Sequence, residues 1–214
     1  MYKLIIFDLD GTLIDAYPAV QESLNYTLRQ CGLAEVDDET IRRTVGWGDR
    51  HLIASFTGEE RADEAVKIYR EHHAGSLTRG SALLPGAGEL LSELRSCGYR
   101  LAVASNRPKA FSLIVARHLG IARMFDRILC GDELKQGKPH PAILEELLEY
   151  FDLRPEDALY VGDMVIDVQT GKGAGVATVA VPTGSHPRHM LEPADPFAVV
   201  ENVFEVMEIV RGAC

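Results

Sequence analysis

Residues 4–13 read LIIFDLDGTL. The apolar residues Leu4 to Phe7 run straight into two carboxylates, Asp8 and Asp10, one residue apart, and then into Gly11 and Thr12. An unbroken apolar run ending in acidic and glycine residues predicts a strand buried on both faces over Lys3 to Leu9, with a polar loop at its carboxyl end. Like charges this close disfavour joint ionisation unless a cation or hydrogen bonds compensate. The stretch therefore calls for a positive partner.

The same signature recurs at RLAVAS (Arg100 to Ser105), RILCG (Arg127 to Gly131), ALYVG (Ala158 to Gly162) and VATVAV (Val176 to Val181). Between these runs lie Gly86 to Cys97, Pro108 to Leu119 and Pro141 to Phe151, whose apolar residues repeat at three and four spacing, with proline opening the last two. Strands alternating with helices predict an α/β fold, a Rossmann-like doubly wound parallel sheet with right-handed crossovers. Ligands in such folds sit beyond the carboxyl ends of the strands.

One segment breaks the alternation. From about Tyr17 to Ser81 the text is helical without a convincing strand, through PAVQESLNYTLRQCG, DDETIRRTVG, DRHLIASF and EERADEAVKIYREHHAG. This predicts an inserted four-helix cap domain, residues 15–82, joined by crossings near Asp15 and Leu83 to a core of residues 1–14 and 83–214. Glu201 to Val210 reads as a short amphipathic helix packing on the sheet.

Composition bounds the partners. The 214 residues carry a formal charge of −10, with 46% hydrophobic and 25% charged residues, as in ordinary globular proteins. That charge argues against nucleic acid or an anionic membrane, which are gripped by basic surfaces. Any anionic ligand is therefore small and locally held. Cys31, Cys97, Cys130 and Cys214 form no CxxC pair, so reduced thiols are expected. With no leader and no apolar run near the roughly 18 residues that span a bilayer, a cytoplasmic location is expected.

Four strand ends carry the interesting polar residues: Asp8 and Asp10, Ser105 and Asn106, Lys138, and Asp163 with Asp167. Singly, each reads as a turn, a helix cap or a solvated charge. Together, and in one order, DLDGT (Asp8 to Thr12), AVASN (Ala102 to Asn106), GKP (Gly137 to Pro139) and VGDMVID (Val161 to Asp167) resemble the four signatures of the haloacid dehalogenase superfamily, phosphatase branch, with a helical cap after the first motif.

The resemblance implies a phosphoric monoester hydrolase. Asp8 is then the nucleophile that becomes an aspartyl phosphate, and Asp10 the general acid and base. Thr12, Ser105, Asn106 and Lys138 are the phosphate-binding set. The implied cofactor is Mg²⁺, taking oxygen from Asp8, the backbone carbonyl of Asp10, Asp163 and, as ligand or anchor, Asp167. The implied partner is a small phosphorylated metabolite, and the implied state a monomer or homodimer. Two departures from the family pattern stand out: Ala16 follows Asp15 where a small hydroxyl residue is usual, so one cap-helix hydrogen bond is expected to be missing, and Gly171 and Gly173 stand where alanines are common.

Substrate choice is expected from the cap. TVGWGDRHL, Thr44 to Leu52, reads as a lid loop presenting Trp47, Arg50 or His51 to the ligand; Arg43 reads as solvated. SNRPKAF, with Arg107 in a basic position, and KPHPAIL resemble the phosphoglycolate-phosphatase-like group. A phosphohexose mutase, needing a second phosphate-binding arginine on the cap, stays open through Arg50, as do pyrophosphatase and nucleotidase readings. A dehalogenase has no need of Asp10, phosphoacceptor signalling domains lack the insertion, and a scaffold is expected to have lost a catalytic group. His186 and His189 read as loop residues, His72 and His73 as cations ending a helix, and His140 as a cap of the next helix.

Overall fold

The computed structural model describes residues 2–212, so Cys214 lies outside it. Its strands are β1 (Leu4–Phe7), β2 (Ile14–Asp15), β3 (Ala82–Leu83), β4 (Arg100–Ser105), β5 (Arg127–Cys130), β6 (Ala158–Gly162), β7 (Ala177–Ala180) and β8 (Ala198–Val199). Its α-helices are α1 (Tyr17–Gln30), α2 (Asp38–Thr44), α3 (Asp49–Thr57), α4 (Glu59–Gly80), α5 (Ala87–Ser96), α6 (Lys109–His118), α7 (Ala142–Phe151), α8 (Val165–Ala174), α9 (Arg188–Leu191) and α10 (Val206–Gly212).

Six strands form one parallel sheet in the order β5-β4-β1-β6-β7-β8. β1 sits between β4 and β6, with Phe7 level with Val103 and Val161. The register brings the loops after these three strands out side by side. Alternation along β1 fills both faces of the sheet. Ile5 and Phe7 join Leu101, Val103 and Val161 under α5, α6 and α10, while Leu4 and Ile6 join Ala102, Ala104 and Tyr160 under α7. Each fully buried Leu, Ile or Phe contributes about 1.5–3 kcal/mol. That is why the run could be read as two-sided burial.

The chain leaves and re-enters the sheet layer through a two-stranded antiparallel ribbon, with Ile14 opposite Leu83 and Asp15 opposite Ala82. Between these crossings α1 to α4 bury their own cluster, built on Leu24, Leu28, Ile41, Ile53 and Tyr69. Ala19 of α1 and Leu77 of α4 pack into the sheet core instead, so the helical segment rests on the core through its basal turns.

Three local readings resolve. Ala16, the residue capping α1, makes no side-chain cap bond; the Tyr17 amide donates to Asp15 Oδ1 at 3.1 Å in its place. A Cβ on Gly171 would lie 1.8 Å from Thr178 Oγ1, so α8 approaches β7 there at glycine-only distance, while one on Gly173 would sit 3.2 Å from Pro141, tight but not excluded. The fourth cap helix runs through His72 and His73 to Gly80. The two histidines lie inside it rather than at its end. β8, half-buried and two residues long, offered no run to detect. Among the described residues no helix is long and apolar enough to cross a membrane.

Candidate active site

β1 ends in the Asp8 to Thr12 loop, tied to β6 by the Asp8 amide donating to the Val161 carbonyl at 2.9 Å. Gly11 sits at φ +79°, where a Cβ would come within 2.5 Å of Asp163 Oδ2. Gly184 closes the other side; its Cβ would meet the same oxygen at 2.0 Å. Two glycines thus let backbone pass directly against the Asp163 carboxylate. That carboxylate accepts from Thr12 Oγ1 at 3.2 Å and from the Ser185 amide at 2.7 Å.

Lys138, buried at the start of the segment before α7, lies 2.9 Å from Asp8 Oδ1 and 2.7 Å from Asp167 Oδ1. Asp167 Oδ1 also accepts from Tyr160 Oη at 2.7 Å, and Asp167 Oδ2 from the Met164 amide at 2.9 Å. Asp8, Asp163 and Asp167 each offer an oxygen, these atoms lying within 4.8 Å of one another. One ammonium therefore faces three buried carboxylates. Burial raises the Asp8 carboxyl to about 6, with Lys138 opposing and Asp167 and Asp10 adding to the rise. Burial and the charges of Asp167 and Asp8 likewise hold Asp163 well above the usual carboxylate range. Lys138 is lowered by its burial but raised on balance by Asp167 and Asp8, so it stays an ammonium. Three buried carboxylates against one ammonium make a net negative, oxygen-rich donor set of the kind that hard divalent ions such as Mg²⁺ take.

Asp10 stands apart from that cluster. Its carboxylate is gripped by the Arg107 guanidinium, Nε to Oδ2 at 2.8 Å and Nη2 to Oδ1 at 2.5 Å. Its side chain is thereby turned away from the Asp8–Asp163–Asp167 group. Ser105 Oγ is buried and accepts from the Arg107 amide at 3.2 Å, keeping its own proton for a ligand. The side chains of Thr12 and Asn106, expected at the phosphate, are engaged elsewhere. Thr12 gives its only proton to Asp163. Asn106 donates to the carbonyls of Gly46 at 2.8 Å and Lys138 at 3.0 Å, and accepts from the Lys138 amide at 2.8 Å. It fixes the lysine loop and ties the core to the cap.

A cavity of about 80 Å³ lies between these loops and the cap. Asp8, Asp10, Ser105, Arg107 and Lys138 line its floor; Tyr17, Val20, Val45, Gly46, Leu52, Tyr69 and His73 line its cap side. The loop between α2 and α3 reaches the cavity, but Trp47, Arg50 and His51 do not line it. Trp47 is 49% exposed and rests near His51, with ring centroids 6.0 Å apart. Arg50 sits on the outer surface, paired with Glu59 at 2.9 Å and Asp63 at 3.0 Å. The loop turns Val45, Gly46, Gly48, Asp49 and Leu52 inward instead, because α3 buries Leu52 and Ile53 and leaves its polar flank in water. Arg43, exposed and paired with Glu39, is solvated as expected.

The histidines divide. His73 is buried against Tyr69 and the edge of Phe111, and burial, helped by the Arg107 charge, pushes its pKa down to about 2. It is neutral, not a cation at a helix end. His186 accepts from the Val165 amide at 2.9 Å at the start of α8, and His140 accepts from the Ala142 amide at 3.2 Å at the start of α7. Sequence reasoning missed Tyr160, Tyr17, Tyr69, Met164, and the segment Thr183 to Ser185. The last carried a signal: it follows the apolar run ending at Val181, where ligand loops belong.

The profile of haloacid dehalogenase-like hydrolases matches residues 5–181. A phosphoglycolate phosphatase from Nitrosospira multiformis is 32% identical over 98% of this chain and 96% of its own length. One from Rhodospirillum rubrum is 37% identical over 86% of this chain and 81% of its own. Among solved structures, that of a predicted phosphoglycolate phosphatase from Haemophilus somnus superposes with a TM-score of 0.92 at 27% identity, covering 98% of each chain. Sheet order, strand-end loops and these likenesses agree: the chain belongs to the haloacid dehalogenase-like hydrolase family.

Proposed function

We propose that this chain is a magnesium-dependent phosphatase that hydrolyses a small phosphate monoester, of the 2-phosphoglycolate kind, through an aspartyl phosphate on Asp8. The observation that carries the reading is the buried Asp8–Lys138–Asp167–Asp163 cluster beneath a small cavity, with Asp10 at its lip.

An Asp8 carboxylate oxygen attacks phosphorus in line as the bond from phosphorus to the leaving alcohol oxygen breaks. Asp10 gives that oxygen a proton, then removes one from the water that attacks the acyl phosphate, releasing inorganic phosphate and restoring Asp8. Lys138 and the Ser105 hydroxyl hold phosphate oxygens. Asp8, Asp163, Asp167 and the Asp10 carbonyl would hold the ion, which when bound offsets charge between the carboxylate and the phosphate. Residues 15–82 act as a cap that closes over the core of residues 1–14 and 83–214 and excludes water.

The relatives' names support the substrate class. The mutase reading loses support, because among the described lining residues the cations Lys138 and Arg107 both belong to the core and Arg50 faces outward. The test is phosphate release from 2-phosphoglycolate and p-nitrophenyl phosphate with and without Mg²⁺. Turnover should need the metal and fall by at least ~10³-fold in Asp8→Asn; unchanged activity in that variant overturns the mechanism.

A further inference from the structure

Arg107 has more hydrogen-bonding capacity than its surroundings use. The side chain is 7% exposed, and two of its nitrogens are spent on Asp10. The third, Nη1, is buried without a partner while the residue lines the cavity. A buried charged donor left unmet is costly, so this guanidinium has capacity for one more acceptor.

Among the described residues, the other charged or titratable groups on the cap side and beside Lys138 are already paired or neutral. Lys138 is committed to Asp8 and Asp167, His73 is neutral, and Asp49 is held by Arg70 at 2.6 and 3.0 Å. The cap side is otherwise mostly apolar or aromatic. Arg107 is the one lining cation with an unfilled donor among the described residues.

Its location says which part of a substrate it meets. Asp8 and Asp10 share the loop after β1, and Arg107 lies on the loop after the neighbouring β4, clamped to Asp10. With phosphorus at Asp8 and the leaving oxygen at Asp10, the next atoms of the alcohol come to the guanidinium. We propose that Arg107 is the specificity-determining residue for a second anion on the substrate: its guanidinium receives a carboxylate carried next to the ester oxygen, so that the site selects 2-phosphocarboxylates over neutral or cationic alcohol phosphates. This inference rests on the phosphatase reading above and adds the group that reads the alcohol.

The experiment compares kcat/KM for 2-phosphoglycolate, ethyl phosphate and phosphoethanolamine, which place a carboxylate, a methyl group and an ammonium at the same point. The unaltered enzyme should prefer 2-phosphoglycolate to ethyl phosphate by more than ~100-fold and treat phosphoethanolamine worst. In Arg107→Met that ratio should collapse to within ~10-fold, chiefly through KM for the carboxylate substrate, with Arg107→Lys between the two. Equal losses on both esters in Arg107→Met overturn the inference, since the residue then acts only by holding Asp10. If that variant fails to fold, the unaltered enzyme still decides: turnover of all three esters without preference removes the carboxylate subsite and leaves the phosphatase reading standing. Release from none of these esters or from p-nitrophenyl phosphate removes both.

Discussion

Asp163 owes its position to what its neighbours lack. Gly11 and Gly184 both pass the carboxylate at distances that no Cβ could occupy, and Thr12 and the Ser185 amide fix its two oxygens. Gly184→Ala should therefore push this carboxylate off the cluster. We expect the Mg²⁺ concentration for half-maximal activity to rise ~10- to 100-fold, the range for losing support behind a metal ligand, with the far-ultraviolet circular dichroism unchanged. An unaltered metal requirement would show that the contact is slack. Asp8, Asp10, Ser105 and Asp163 were legible because each follows an apolar run where a parallel sheet presents ligands, and Lys138 and Asp167 through the motifs GKP and VGDMVID. Gly184 was not, since PTGSH reads as any loop and its role exists only opposite Gly11. Trp47, Arg50 and His51 were placed on the right loop and the wrong face, because a nine-residue helix flanked by glycines leaves its rotation undetermined until Leu52 and Ile53 choose the core.

Helix α4 shows how a polar residue can occupy a core position. Its buried positions, Ala62, Ala65, Val66, Tyr69, His73, Ser76 and Leu77, keep helical spacing through the histidines. Reading those as terminal cations cut the helix short. His73 is instead neutral, with Nδ1 3.1 Å from Ser23 Oγ and its ring on Tyr69 and Phe111. Its pKa of about 2 in the fold compares with about 6.5 in an unfolded chain. Between those values the unfolded state binds the extra proton. The stability that His73 allows is thus complete above the unfolded value and drains as pH falls, by up to ~1.4 kcal/mol per pH unit. Asp8, raised to about 6, has the opposite sign in the metal-free protein, because there the folded state binds the proton first. The comparison with His73→Leu separates the two. Urea unfolding of metal-free protein at about pH 7.5 and about pH 5 should show wild type losing ~1–2 kcal/mol more than the variant; parallel losses would contradict a neutral buried imidazole.

At the scale of the whole molecule, the sheet and the helical segment were legible from alternation and its interruption, while the pairing of Ile14–Asp15 with Ala82–Leu83 was not. How the cap meets the core was not, because that contact joins residues far apart in sequence. Asn106 bonds Gly46, and His73 of α4 packs its ring on Phe111 of α6. Asn106→Ala removes the tie to the cap and the clamp on the Lys138 loop together. Three bonds of about 1 kcal/mol each predict a fall in kcat/KM on the order of 100-fold, with faster protease cleavage at the crossings; wild-type kinetics would show that closure does not use this contact. The central claim is narrower, that Asp8 carries the phosphoryl group. Asp10→Asn should slow hydrolysis of the intermediate more than its formation. Acid-quenching that variant during turnover of 2-phosphoglycolate with Mg²⁺, then mapping by mass spectrometry, should find one added phosphoryl group on the peptide containing Asp8. A phosphoryl group on any other residue, or phosphate release by Asp8→Asn at the wild-type rate, would contradict it.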